Sequence, residues 1–139
     1  MSNRHVSAHR SQRLAGNLTV PGDKSIAHRV LILGSLARGT TFVRNVPESD
    51  DIACTLRCLD QLGVRCERVD DAVSVDGLDN RKYLQPKEPL NCGGSATTMR
   101  LLLGAIAGRG KRSTLVGNES LSRRPMARIA EPLKLMGAE

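Results

Sequence analysis

Three features of the 139-residue sequence predict an α/β fold assembled from two copies of one unit. Apolar residues at helical spacing alternate with short β-branched runs. A glycine-bearing turn leads twice into an apolar helix with an arginine about one turn inside, first at Pro21-Gly22-Asp23-Lys24-Ser25 and again at Gly93-Gly94-Ser95. The copies also hold register. Arg29 and Arg100 are 71 positions apart, as are Arg38-Gly39 and Arg109-Gly110, while Asp51-Ile52 and Pro125-Met126 are 74 apart. At the second offset Ile52, Leu59 and Leu62 fall on Met126, Leu133 and Met136, so a three-residue insertion between the helices of the second copy explains the step. Self-similarity of this kind marks a repeated supersecondary unit.

The elements follow in order. Residues 1–13 lack apolar periodicity and are expected to form a basic tail. Gly16–Val20 is expected to be a short strand stopped by Pro21-Gly22, followed by a helix over 25–37 that ends at Arg38-Gly39. Thr40–Val43 is β-branched and aromatic and predicts a strand. Ser49 should cap a helix over 50–62, with Asp50 and Asp51 in the first turn where the helix dipole favours negative charge. Gly63 ends it, and strands over 64–69 and 72–75 are joined at Asp70-Asp71. A polar connection over 76–89 separates the copies. The second copy is expected to place a helix over 95–107, a strand over 113–116 and a helix over 125–136 capped by Ser122 or Arg123, with Pro125 near its start. At Gly137-Ala138-Glu139, where the first copy continues into its hairpin, the second is expected to stop in mid-repeat.

Composition narrows the function. Phe42 and Tyr83 are the only aromatic residues, so the core must be aliphatic, and base-stacking platforms for nucleic acid are missing. The net charge of +7 favours anionic partners. No run of about 18 apolar residues could span a bilayer and no signal peptide is visible, so a cytoplasmic location is expected. Cys54, Cys58, Cys66 and Cys92 show no metal-ligand spacing and are expected to be reduced, buried thiols. A lowered pKa for Cys92 at a helix start is the alternative for that residue.

The chemistry concentrates at the two helix starts. Gly93 and Gly94 permit a tight turn and close approach to the main chain. Ser95 is a good N-cap, and the unpaired N–H groups behind it face an anion. Arg100 adds a forked donor. In the first copy Lys24 supplies a point charge and Arg29 a planar one. A nucleotide P-loop does not fit, because Asp23 rather than glycine precedes Lys24-Ser25. His28 is expected to be a packing or surface histidine rather than a catalyst.

These residues carry a resemblance. Pro21 to Arg29 resembles the PG-x-KS-xx-xR start of 5-enolpyruvylshikimate-3-phosphate (EPSP) synthases. Gly93 to Arg100 is similar to that family's G-N-[AS]-[GA]-T-x-x-R loop. Glu48-Ser49-Asp50-Asp51 and Arg123-Arg124-Pro125-Met126 are similar to its S-D-D and R-P-[MI] segments. The likeness runs from about Leu14 to Glu139. It implies the enolpyruvyl transferase fold, an inside-out α/β barrel of βαβαββ units, of which this chain would hold nearly two of one domain's three. Residues 1–20 would be a tail and a crossing strand belonging to the other domain. Residues 21–139 would be an incomplete substrate domain, with repeat one at 21–78 and repeat two at 88–139.

The implied reaction moves the enolpyruvyl group of phosphoenolpyruvate to the 5-hydroxyl of shikimate 3-phosphate, without cofactor or metal. Lys24 and Asp51 would be catalytic, with Lys24 bridging both substrates and Asp51 orienting the groups around it. Ser25 and Arg29 would hold shikimate 3-phosphate. Gly94, Ala96, Thr97, Arg100 and Arg124 would line the phosphoenolpyruvate site. Neither nucleic acid nor membrane is implied as a partner. Gly94 stands where the family usually has asparagine and Ala96 where many members have glycine. The second departure predicts tolerance of the inhibitor glyphosate. The chain alone is expected to be inactive until joined by a polypeptide beginning near position 140. Two alternatives are a UDP-N-acetylglucosamine enolpyruvyl transferase and a small basic nucleic-acid-binding domain. The first family has Lys-Asn where Lys24-Ser25 stands and commonly a cysteine before its Arg-Pro, which 117–124 lacks.

Overall fold

The computed structural model describes residues 6–10, 13–79, 81–108 and 112–139. Helix α1 (Lys24–Leu36) opens the first copy, capped by Asp23, whose Oδ1 accepts from the Ile26 amide at 2.7 Å. Strand β1 (Thr40–Arg44) leads to α2 (Asp50–Gln61), capped as expected by Ser49. Strands β2 (Cys66–Val69) and β3 (Ala72–Asp76) then form a hairpin about Asp70, whose φ of 53° is the left-handed conformation aspartate tolerates in tight turns. β3 lies between β1 and β2, antiparallel to both, with Phe42 opposite Ser74 and Arg68 opposite Val73.

The second copy begins with β4 (Leu90–Asn91), followed by α3 (Ala96–Ala107) and β5 (Leu115–Val116). β4 and β5 pair in parallel, so they and α3 make a βαβ unit. A short helix α4 (Glu119–Ser122), capped by Asn118, precedes α5 (Ala127–Leu135). Apolar faces of α1, α2 and α3 meet in one aliphatic cluster that includes Leu31, Ile52, Leu59, Val75, Leu90 and Leu102.

Several expectations are corrected. Gly16–Val20 forms no strand, and residues 13–20 are exposed. A strand exists only when its backbone groups find a ladder partner, and none of the described residues pairs with this segment. Its counterpart β4 does have a partner. Neither Ser122 nor Arg123 caps α5. They end α4 instead, and Met126 stands at the α5 start without a side-chain cap. Pro125 explains the gap, since the residue before a proline is pushed out of helical conformation. The connection over 76–89 is polar in composition but not detached. Tyr83 is buried and its hydroxyl lies 2.7 Å from Ser35 Oγ on α1. Arg109-Gly110 of the repeat argument, and residues 1–5 and 11–12 of the tail, lie outside the described residues.

Candidate functional site

The geometry of the site comes from helix register. Lys24 Nζ lies 2.6 Å from Asp51 Oδ2, and one turn further on His28 Nδ1 lies 2.7 Å from Thr55 Oγ1. Both pairs are 27 positions apart, so α1 and α2 run parallel and begin at the same level. Thr98, in the first turn of α3, lies 2.7 Å from Thr55 Oγ1, and its hydroxyl is 3.3 Å from the Asp51 carbonyl. Three helix N-termini therefore converge at one end of the molecule, and their partial positive charges add there.

Each start is built differently. At α3, Gly93 has φ 56°, and a Cβ there would come within 2.9 Å of Cys54 Sγ, so both the turn and the packing require glycine. Gly93 donates to Asn91 Oδ1 at 2.8 Å and accepts from the Asn118 amide at 2.7 Å, which fixes the loop. Ser95 Oγ accepts from the Thr98 amide. No hydrogen bond within the described residues takes the amides of Gly94, Ala96 or Thr97. Orphan donors of this kind at a helix start can bind an anion. At α1 the amides of Lys24 and Ser25 are likewise uncommitted, and the exposed Lys24 ammonium adds a full charge.

The other predicted residues fall around this centre with mixed geometry. Ser25 and Arg29 are exposed on α1, and Arg29 Nη1 folds back to donate to the Ser25 carbonyl at 2.9 Å. Arg100 is half-buried and reaches the Pro125 carbonyl at 3.4 Å, tying α3 to the segment that carries Arg124. Arg124 is exposed. Ala96 is buried and belongs to the aliphatic cluster.

One residue was missed by sequence reasoning. Asn118 caps α4 through Oδ1 while its Nδ2 sits 3.1 Å from where a Cβ on Gly94 would lie. An asparagine after a glycine and before a short helix was the available signal. His28, expected to be a packing or a surface histidine, is a packing one: it is fully buried, and its Nε2 finds no hydrogen-bond partner among the described residues. Burial holds its pKa below the ordinary value of 6.5. Lys24 and Arg29 act in the same direction, and Asp51 opposes them.

The cysteines are free. A shared hydrogen bond with Cys58, together with burial, pushes the Cys92 thiol up, so the helix-start alternative does not hold. Burial likewise pushes Cys66 up to about 11. Among the described residues no helix is long and apolar enough to cross a membrane.

Comparison with known proteins agrees with this arrangement. Over 126 residues the chain is 47% identical to the 3-phosphoshikimate 1-carboxyvinyltransferase of Lactiplantibacillus plantarum, covering 91% of this chain and 29% of that protein. The enzyme of the same name from Shouchella clausii is 46% identical over the same coverage. EPSP synthase from Acinetobacter baumannii superposes with a TM-score of 0.81 at 41% identity, over 89% of this chain and 28% of that one. A second structure of it gives 0.83 at 42% identity. The chain thus spans a little under a third of the length of these relatives, and its α/β architecture is part of their enolpyruvyl transferase fold. Since the family model described as EPSP synthase (3-phosphoshikimate 1-carboxyvinyltransferase) matches residues 8–139, the chain belongs to the EPSP synthase family.

Proposed function

We propose that these residues form one wall of a site that transfers the enolpyruvyl group of phosphoenolpyruvate to the 5-hydroxyl of shikimate 3-phosphate, releasing phosphate. The observation that carries this reading is the convergence of the Lys24–Asp51 pair with the uncommitted amides of Gly94, Ala96 and Thr97 at one end of three packed helices. Each substrate bears a phosphate and a carboxylate, and such a wall supplies charge and aimed main-chain donors to both. The same groups stabilise charge developing in a tetrahedral intermediate. Lys24 bridges the substrates, and Asp51 fixes its ammonium. Ser25 and Arg29 take shikimate 3-phosphate, with Arg29 leaving its intrahelical contact to do so. Gly94, Ala96, Thr97, Arg100 and Arg124 take phosphoenolpyruvate. Residues 21–139 act as the substrate domain, and 16–20 become a strand only when a partner strand is supplied.

The experiment is phosphate release from the two substrates. Residues 1–139 produced alone should release none, because they form only one wall of the proposed site and the relatives run to more than three times this length. The same residues within a complete family chain should be active. Turnover by the isolated segment, or none in the complete chain, would contradict the reading.

The site is also proposed to tolerate glyphosate, which resembles phosphoenolpyruvate in charge but is longer. The Ala96 methyl group narrows the wall, and overpacking typically costs about 1–3 kcal/mol, borne mainly by the longer ligand. Ala96→Gly should lower the glyphosate inhibition constant by about tenfold or more while phosphoenolpyruvate use changes less. Equal inhibition constants in the two forms would remove Ala96 from the explanation.

A further inference from the structure

Beneath the candidate site lies a chain of buried polar groups that no substrate contact explains. His28 Nδ1, Thr55 Oγ1, Thr98 Oγ1 and Ser95 Oγ follow one another at 2.7, 2.7 and 2.8 Å. All four residues are buried, and they come from α1, α2, α3 and the α3 cap. Thr98 and Thr55 also lie 3.3 and 3.5 Å from the carbonyl of Asp51, the residue that holds Lys24.

The direction of the chain follows from counting hydrogens. Each hydroxyl has one hydrogen to give, the contacts at 2.7 and 2.8 Å take those of Thr55 and Thr98 ahead of the longer ones to the Asp51 carbonyl, and Ser95 Oγ also accepts from the Thr98 amide. Two arrangements are open to a neutral imidazole. If Nε2 carried the hydrogen, a buried N–H would be left without an acceptor among the described residues, the costlier kind of orphan. If Nδ1 carries it, Nε2 is an unused acceptor, which is cheaper. His28 then donates to Thr55, Thr55 to Thr98, and Thr98 to Ser95. Thr55 and Thr98 each accept from one neighbour and donate to the next, and Ser95 Oγ closes the order as the acceptor of both the Thr98 hydroxyl and the Thr98 amide, so the bonds polarise one another in a low-dielectric interior. Asp51 from α2 and Lys24 and Arg29 from α1 are the charged groups that act on the ring, and α3 meets the chain with Thr98 and Ser95.

We infer that His28, Thr55 and Thr98 are positioning residues, forming a one-way hydrogen-bond chain that ends on Ser95 and holds the Lys24–Asp51 pair and the α3 start in register with each other. The chain touches no substrate. It sets the distance between the charge supplied by α1 and the main-chain donors supplied by α3. Its catalytic consequence rests on the substrate site proposed above; its hydrogen-bond direction does not.

Two measurements test it. Nitrogen-15 spectra of the imidazole in the histidine-labelled protein, with the His28 signal identified by its loss in His28→Asn, should show hydrogen on Nδ1. Hydrogen on Nε2 would overturn the direction of the chain. In the complete enzyme, Thr55→Val and His28→Leu should each lower kcat/KM for phosphoenolpyruvate by about tenfold, the worth of one well-placed hydrogen bond. Thr55→Ser keeps the hydroxyl, and His28→Asn places an amide N–H where Nδ1–H stood. Both should retain activity within about threefold, a difference well under one hydrogen bond. A role in packing alone would instead make Leu and Val, the closer matches in volume, the better-tolerated variants, and that order would overturn the inference. Lys24→Ala serves as the control. If it left turnover unchanged, the substrate reading would fail, while the tautomer result would still decide the direction of the chain.

Discussion

The starts of α1 and α3 occupy equivalent places in the two copies yet are built differently. At α1 the cap is an exposed aspartate, and the first turn carries Lys24 into solvent, where it meets Asp51. At α3 the cap is a buried serine and the first turn holds Ala96, Thr97 and Thr98, none of them charged. The first start presents side-chain charge beside its main-chain amides, the second main-chain donors alone behind a glycine turn. A repeat thus supplies the geometry twice, and on the reading proposed above substitution at the helix start divides the recognition of anionic substrates between the copies.

The largest effect should come from removing charge. Lys24→Ala or Arg124→Ala removes charge-assisted contacts of roughly 1.5–3 kcal/mol, so substrate use in the complete enzyme should fall about tenfold or more. Thermal stability should barely move, because both side chains are exposed and a surface ion pair contributes little. Wild-type kinetics in both variants would put the charged half of the site elsewhere.

The caps sharpen the comparison through stability. Asp23→Ala should cost about 1 kcal/mol, the usual worth of an exposed N-cap. Ser95→Ala should cost more, about 2 kcal/mol, because it also leaves the buried Thr98 hydroxyl with only the longer contact to the Asp51 carbonyl. Chemical denaturation of both variants checks the order, and equal losses would make the buried chain energetically idle.

The smallest effect is a pH dependence confined to the first copy. Because the folded state holds the His28 pKa below its unfolded value of 6.5, the unfolded chain takes up this proton first as pH falls. The resulting loss of stability is absent above pH 6.5, grows as pH drops below it, and levels off once the folded pKa is passed. His28→Asn should flatten that part of the midpoint-against-pH curve. An unchanged curve would mean that His28 titrates as it does in the unfolded chain.

Much of this was legible in the sequence where local rules dominate. Ser49 and Ser95 cap their helices, and Gly63 and Gly93 mark turns because positive φ selects glycine. The pairing of Lys24 with Asp51 came from a family likeness, and helix register brings it about. Tertiary facts were not legible. Nothing in the local pattern of 16–20 shows that its ladder partner is missing, or that Tyr83 turns a polar connection into part of the core. The His28 chain escaped notice because its members lie 27 and 43 positions apart and meet only once three helices pack.

The most direct test of the two-start account is an amide map of the protein titrated with phosphoenolpyruvate and shikimate 3-phosphate together. The account predicts shifts of the Lys24 and Ser25 amides and of the Gly94, Ala96 and Thr97 amides in the same titration, with both sets lost in Lys24→Ala. Shifts confined to one start, or clustered instead in the groove between residues 85–89 and α5, would contradict it.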